Sequence, residues 1–459
     1  MDSRLMSRTV TKQLAGWGNF PVEPCHVIRP EKKGDITQFV VSRSESTCIS
    51  RGLGRSYGDA ALNRDGGVIL HERLNRMLSF DPVNHVLSAE AGVTFDRIID
   101  VFLPRGFFLP VTPGTKFVTL GGAIAADVHG KNHHRDGSIA NFIIDFDLVI
   151  ADGSVLRCSR TDNAELYFAT LGGMGLTGSI LRASLRLLPV PSAYVAVDHQ
   201  RAAHIDQALE LFTAGDSNYQ YSVAWIDCLA GGESLGRSVL MRGNHAQAAE
   251  LPSVLASRPL EADTSSPTNV PFYLPGFVLN AFTVKLFNGR FYRKNVDGHF
   301  LVGFDEFFYP LDSMLNWNRL YGRRGFIQYQ AVLPMQNARR GLIELLETLS
   351  GSRQASFLAV LKTFGEESGG WLSFPRAGCT LSLDLPHRPD LPRLATRLDE
   401  IVLKHGGRVY LAKDALLSRD MLPAMYPNLR KFQELKRRID PTNRFSSSQA
   451  RRLGIVEDA

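Results

Sequence analysis

Three glycine-rich segments and two titratable side chains are the parts of this chain whose types and spacing suit chemistry. In residues 51–63, RGLGRSYGDAALN, Gly52, Gly54 and Gly58 free the backbone to turn several N–H groups toward one point, as in a nest that holds phosphate oxygens. An ordinary glycine turn fits that stretch equally well. In residues 113–142, the run Gly121-Gly122-Ala123-Ile124-Ala125-Ala126 is nearly free of bulky side chains, so a flat ligand can lie against the backbone. His129, Lys131, His133 and His134 follow at once; adjacent histidines without a carboxylate at ligand spacing argue against a metal. A third loop, LGGMGLTGSI, covers residues 171–180. A glycine inside an element costs about 0.5–1 kcal/mol relative to alanine, so something must offset the cost of three such loops. Far downstream, Lys413 ends an expected strand over residues 408–412.

The elements that must position these groups read as α+β. Short apolar runs at residues 67–70 and 146–150 predict strands between tight loops. Thr94 can cap a helix whose Phe95, Ile98, Ile99 and Phe102 follow helical spacing and which ends before Gly106. The spacing of glycines in residues 51–63 departs from the dinucleotide fingerprint and no long helix follows, which excludes a Rossmann fold. Near residue 192 the texture changes, with a Ser/Pro/Thr-rich connection at residues 262–269. Helices are expected over residues 338–349 and 391–405, the second closed by Gly406-Gly407.

Composition sets the outer limits. At 459 residues the chain has room for two or three domains, and 44% hydrophobic with 21% charged residues is ordinary for a soluble fold. A net charge of +6 is too dilute to indicate nucleic acid but permits an anionic ligand. Five scattered cysteines suggest neither a disulfide framework nor zinc, and favour a reducing compartment. The first 25 residues lack the apolar run of a signal peptide, and residues 271–287 are too interrupted to cross a bilayer, so a cytoplasmic or inner-membrane-peripheral location is expected.

The strings RGLGRSYGD, PGT..VT.GGAIA.D.HGKNHH, GG.GLTG, YLAKD, AMYP and DPTNRFSS resemble the flavin oxidoreductases of the vanillyl-alcohol-oxidase type, which carry the PCMH-type FAD-binding domain. Within them the likeness is strongest to the decaprenylphosphoryl-β-D-ribose 2′-oxidase branch. The resemblance implies an FAD-binding part over residues 1–192, an inserted substrate domain of antiparallel sheet and helices over 193–405, and a return segment, 406–459, completing the site. It implies cofactor contacts from Arg51, Gly52, Gly54, Arg55, Ser56, Tyr57 and Gly58; from Pro113, Gly114, Thr115, Gly121, Gly122, Ala125 and Ala126; from His129, Gly130 and Asn132; from Gly175, Thr177 and Gly178; and from Tyr410. Some relatives tether the flavin to a histidine inside a Gly-His-Ser triplet. Here the triplet is Gly54-Arg55-Ser56, so FAD is expected to be non-covalent.

On the substrate side, the resemblance implies pocket positions at Tyr57, Lys131, Asn318, Arg319, Lys362, Ser382 and Lys413. Gln328-Tyr329-Gln330 alternates, so both amides share one strand face and can bracket sugar hydroxyls; a solvated face is the other reading. His129 and Lys413 are the expected catalytic pair, one to take a proton and one to supply positive charge. The branch implies oxidation of a polyprenyl-phosphate pentose at its 2′-hydroxyl as the first half of an epimerisation for cell-wall arabinan synthesis, with a short-chain reductase as partner. A soluble sugar, alditol or aldonolactone is the alternative substrate, and a non-catalytic flavin-binding protein the alternative class. Mycobacterial members have a cysteine, captured by nitroaromatic inhibitors, where this chain has Ser382; Cys379 lies on the opposite strand face, so no covalent capture is expected at position 382. Apolar residues between Phe272 and Phe282 followed by Lys285, Arg290, Arg293 and Lys294 suit either an interfacial membrane patch or a core helix.

Overall fold

The computed structural model describes residues 9–457 apart from 43, 263–266, 277, 353, 355 and 357, so part of the predicted 262–269 connection and Phe277 of the apolar segment lie outside the described residues. Three sheets organise the chain. The first holds β1 (Val10–Ala15), β2 (Val22–Ile28), β3 (Cys48–Arg51) and β4 (Gly67–Leu70) in the order β1-β2-β4-β3, with β2, β4 and β3 parallel. The second is antiparallel: β5 (Met77–Asp81), β6 (Val86–Glu90), β7 (Ile143–Val149), β8 (Val155–Ser159) and β9 (Ser179–Arg186), ordered β5-β6-β9-β7-β8.

Between them lie α1 (Phe95–Phe102) and α2 (Leu120–Ala125). The apolar residues that predicted α1, Phe95, Ile98, Ile99 and Phe102, are all buried, and the chain leaves the helix through a short turn to Gly106 at φ 81°. Thr94 sits at the N-cap without a side-chain cap bond. Thr119 does cap α2, accepting from the Gly122 N–H at 3.2 Å.

The third sheet has eight strands: β10 (Tyr194–Ala202), β11 (Tyr221–Ile226), β12 (Ser238–His245), β13 (Gly298–Gly303), β14 (Phe326–Pro334), β15 (Ala359–Phe364), β16 (Gly378–Pro386) and β17 (Arg408–Val409), ordered β13-β10-β12-β11-β15-β16-β14-β17. Helices α3 (Ala281–Lys294), α4 (Met335–Ser352) and α5 (Leu391–Lys404) belong to this part, and α4 and α5 pack against its strands. The end of α5 is built as the Gly-Gly pair predicts: Gly406 takes φ 71°, its N–H donates to Leu403 O, and Gly407 N–H donates to Val402 O. The sheet draws β17 from beyond residue 405, so the return segment begins inside it.

The expected strand at 408–412 is shorter than the sequence suggests. It pairs with β14 only at Arg408 and Val409, after which Lys413 N–H and Asp414 N–H both fold back onto Tyr410 O. Pairing stops because the backbone is claimed elsewhere: Ala412 O accepts from Tyr57 N–H, and the Asp414 carboxylate caps Leu416 and Leu417. Lys413 is therefore carried by a turn.

The chain end closes the first sheet. Cys48 N–H donates to Arg444 O at 2.7 Å and Ser446 N–H to Cys48 O at 3.0 Å, an added parallel bridge. The Arg444 side chain, 1% exposed, donates to the carbonyls of Phe39, Val40 and Glu45. Arg444→Ala strands those carbonyls in the interior, and we expect a loss of about 3 kcal/mol in urea unfolding.

Candidate active site

One cavity of about 990 Å³ runs from the glycine loops to a face of the third sheet. The cradle end is shaped by absent side chains. Gly54 holds φ 65°, a Cβ on Gly52 would strike Thr119 Oγ1, and one on Gly121 would lie 2.8 Å from Ala91 Cβ. The N–H groups of Leu53, Gly54 and Arg55 find no acceptor among the described residues, and Arg55 Nε is buried without a partner. Donors left open beside a slot of small residues fit a pyrophosphate joined to a flat ring system, as in FAD.

Most sequence-predicted residues meet here. Arg51, Gly52, Gly54, Arg55, Ser56, Tyr57, Pro113, Gly114, Thr115, Gly121, Gly122, Ala125, Ala126, His129, Gly130, Gly175, Gly178 and Tyr410 line the cavity, as do Lys131, Gln328, Gln330, Lys362, Ser382 and Lys413. Five do not reach its wall. Gly58 packs against the Asp414 carbonyl, where a Cβ would collide, and Asn132 donates to Pro110 O and Asp136. Thr177 shares a hydrogen bond with Thr170. Asn318 donates to Trp17 O, and Arg319 to the carbonyls of Val270 and Pro271, so both pin neighbouring segments. Arg51, although on the wall, spends its guanidinium on Ala15 O and Ala61 O.

Sequence reasoning missed Trp17, whose ring lies 4.0 Å from the Arg55 guanidinium, and His71, a buried imidazole against Ser50 and Ser179 that burial holds down at about 4. Neither belongs to a glycine motif, and nothing in the local spacing marks them.

The two glutamines leave the solvated-face reading behind, because both are buried. Gln328 Nε2 donates to Asp384 at 2.6 Å, and Gln330 Nε2 lies 3.0 Å from His129 Nε2 and 3.2 Å from Thr380 Oγ1. Lys362 Nζ stands 3.4 Å from His129 Nδ1. Burial, then Lys362, His133 and Lys413, push the His129 pKa well below its usual value, so the ring is neutral. A neutral imidazole has one N–H and one lone pair, and both nitrogens already face protein groups. His129 is thus a poor acceptor for a further proton.

Lys413 is better placed. Its Nζ sits 4.0 Å from the Tyr57 ring centre, and burial lowers its pKa to about 7 against the opposing pull of Asp384. Lys362 falls to about 8 and Lys131 to about 7, again through burial; Lys131 rests on the Phe307 ring and donates to Phe307 O. Burial raises Asp384 to about 7. Cys379, off the wall, is buried and pushed up to about 12.

A family profile described as FAD binding domain matches residues 24–159, and one described as D-arabinono-1,4-lactone oxidase matches 386–453. Decaprenylphosphoryl-beta-D-ribose oxidase of Mycolicibacterium smegmatis is 37% identical over 98% of both chains. The chain belongs to the decaprenylphosphoryl-β-D-ribose oxidase family. L-gulonolactone oxidase of Mus musculus is a more distant relative, 24% identical over 95% of this chain and 97% of its own. Membership in this oxidase family makes the chain an FAD-dependent oxidoreductase, and the cradle's open donors and small residues fit that cofactor. Gly52→Ala pushes Thr119 out of its capping position; we expect FAD affinity to fall at least about tenfold, read by flavin titration of the apoprotein.

Proposed function

We propose that this protein oxidises the 2′-hydroxyl of a polyprenyl-phosphoryl-β-D-ribose to the 2-keto sugar. The observation that carries this reading is that three half-buried lysines, Lys131, Lys362 and Lys413, line the same cavity as the glycine cradle. Beyond burial, Lys362 lowers the pKa of both Lys131 and Lys413, and an anion beside its charged ammonium offsets that repulsion; a sugar phosphate supplies it. The lactone-oxidase profile covers residues 386–453, which include Lys413 but not the strands that carry Lys362 or the glutamines, so it does not reach the side chains assigned to the phosphate and the sugar hydroxyls.

Bound FAD supplies the acceptor for the hydride leaving C2′. Lys413 as the free amine takes the hydroxyl proton, leaving the carbonyl. Gln328 and Gln330 orient the ring hydroxyls, Lys362 holds the phosphate, and neutral His129 fixes the side chains of Gln330 and Lys362. Arg55 offers no imidazole for a covalent tether, which leaves the flavin dissociable. The 2-keto product then requires a carbonyl reductase, of short-chain type, to complete the epimerisation to the arabinose donor for cell-wall glycan.

No helix among the described residues is long and apolar enough to cross a membrane. Helix α3 is not a core helix: only Val284 and Asn288 are buried, while Phe282 is 77% exposed, and Phe272 and Leu286 are each 63% exposed. With Lys285, Arg290, Arg293 and Lys294 also exposed, this patch suits peripheral contact with an anionic membrane surface, which supports a peripheral membrane location.

Anaerobic mixing with a synthetic polyprenyl-phosphoryl ribose is expected to bleach the flavin band, with no bleaching by free arabinose or an aldonolactone; the reverse result overturns the reading. Lys413 must be neutral and Lys362 charged, so kcat/KM is expected to rise with pH through about 7 and fall above about 8. Lys413→Arg keeps the charge but not the base, and is expected to lower flavin reduction at least about 100-fold and remove the rising limb. In liposome flotation, charge reversal at Arg290, Arg293 and Lys294 is expected to abolish binding to anionic vesicles.

A further inference from the structure

The cavity does not end at the lysines. Its floor is one face of the third sheet, and the register shows which residues share that face. Gln330 pairs with Ser382 and Ser382 with Val360. Val360 pairs with Trp225, Val223 with Met241, Met241 with His199, and Val197 with Phe300. All of these line the cavity. Read across the strands, the floor changes from amide, hydroxyl and ammonium groups on β14, β16 and the end of β15 to an almost wholly apolar surface on β11, β12, β10 and β13. From the other side α3 contributes Val284, Phe287 and Phe291, so the apolar end is roofed as well as floored.

We propose that this roofed sheet face holds the first isoprene units of the substrate's lipid chain. The inference rests on the proposed substrate and assigns its tail to a place no glycine motif or catalytic residue marks. A single ligand spanning the cavity must be polar and anionic at the His129 end and apolar at the β13 end, and a polyprenyl-phosphoryl sugar has that order of groups. From β15 to β13 there are four inter-strand steps, about 19 Å, which accommodates about four isoprene units at ~5 Å each. Burial gives such a site affinity without directionality, so it selects for chain length and not for double-bond geometry. The outer end is bounded by Phe300, 38% exposed, and by α3, whose outward side carries the apolar and basic residues of the membrane patch. The chain therefore leaves the sheet where the protein meets lipid.

The test uses the flavin-loaded enzyme and ribosyl phosphates bearing one, two, three, four and ten isoprene units. With the wild-type protein, KM is expected to fall at least about tenfold between one and four units, and to change little from four to ten when each is presented in detergent. Flat KM values across the series overturn the inference while leaving the oxidase reading intact, whereas no flavin bleaching with any member ends that reading itself. Farnesyl monophosphate, which has no oxidisable sugar, supplies a readout independent of turnover: it is expected to bind at least about tenfold more tightly than isopentenyl monophosphate by calorimetry. Met241→Trp and Val197→Phe, which fill the outer apolar floor, are expected to erase that difference while leaving the one-unit substrate's KM within about twofold. Equal weakening of short and long ligands in both variants would count against the assignment.

Discussion

Gathering three lysines into the one cavity that also holds a neutral imidazole is the constraint to which the rest of the architecture answers. Lys131, Lys362 and Lys413 reach the same cavity from a loop, a central strand and a turn, and burial depresses all three. Asp384 pulls against the shift of Lys413, and it is set behind Gln328 with its own charge suppressed by burial. A site in this state gains when an anion arrives, because the ligand restores to the ammonium groups the compensation that water gave them in the unfolded chain. The same burial leaves Lys413 about half deprotonated at neutral pH, whereas an exposed amine is almost wholly protonated.

Holding that cluster requires the two ends of the chain to meet. Tyr57 N–H donates to Ala412 O, the Tyr410 hydroxyl donates to Ala126 O, and Asp414 and Asp59 share the Arg452 guanidinium. These contacts join the first glycine loop, the small-residue helix and the return segment within a few residues of Lys413. A displacement of the turn by one residue would carry Lys413 off the Tyr57 ring, so the fidelity of the base depends on bonds made by residues that never face the ligand.

What was legible in the sequence was local. Glycines at close spacing, a run of small residues and an amphipathic helix are consequences of neighbouring residue types, and Gly52, Gly121 and α1 stand where their patterns place them. Illegible features fall in two groups. In the first, one residue type serves two purposes: Gly58, Asn132 and Thr177 sit in the motifs yet turn toward the protein, because a close backbone approach or an internal amide bond demands the same residue that a ligand would. In the second, the feature exists only after strands pair. Val197, Val223, Met241 and Val360 look like any alternating sheet residues, and nothing in their separate strands says that their shared face is a cavity floor and not a core.

Strand β14 shows why the ambiguous glutamine pair resolves as it does. All nine of its residues are buried, so neither face can be the solvated one that two glutamines ordinarily indicate. On one side Tyr329 donates its hydroxyl to Asp399 of α5, and on the other Gln328 and Gln330 reach Asp384 and His129. An amide buried in this way must satisfy its donors within the protein or against a ligand, and Gln330 has to divide its single NH₂ between His129 and Thr380. With Nδ1 of the same imidazole facing Lys362, a change in the protonation of that lysine alters which ring nitrogen can accept, and so which way the Gln330 amide must point. Lys362 and the Gln330 amide are thereby coupled through one histidine, which is the geometry behind the positioning role proposed for His129.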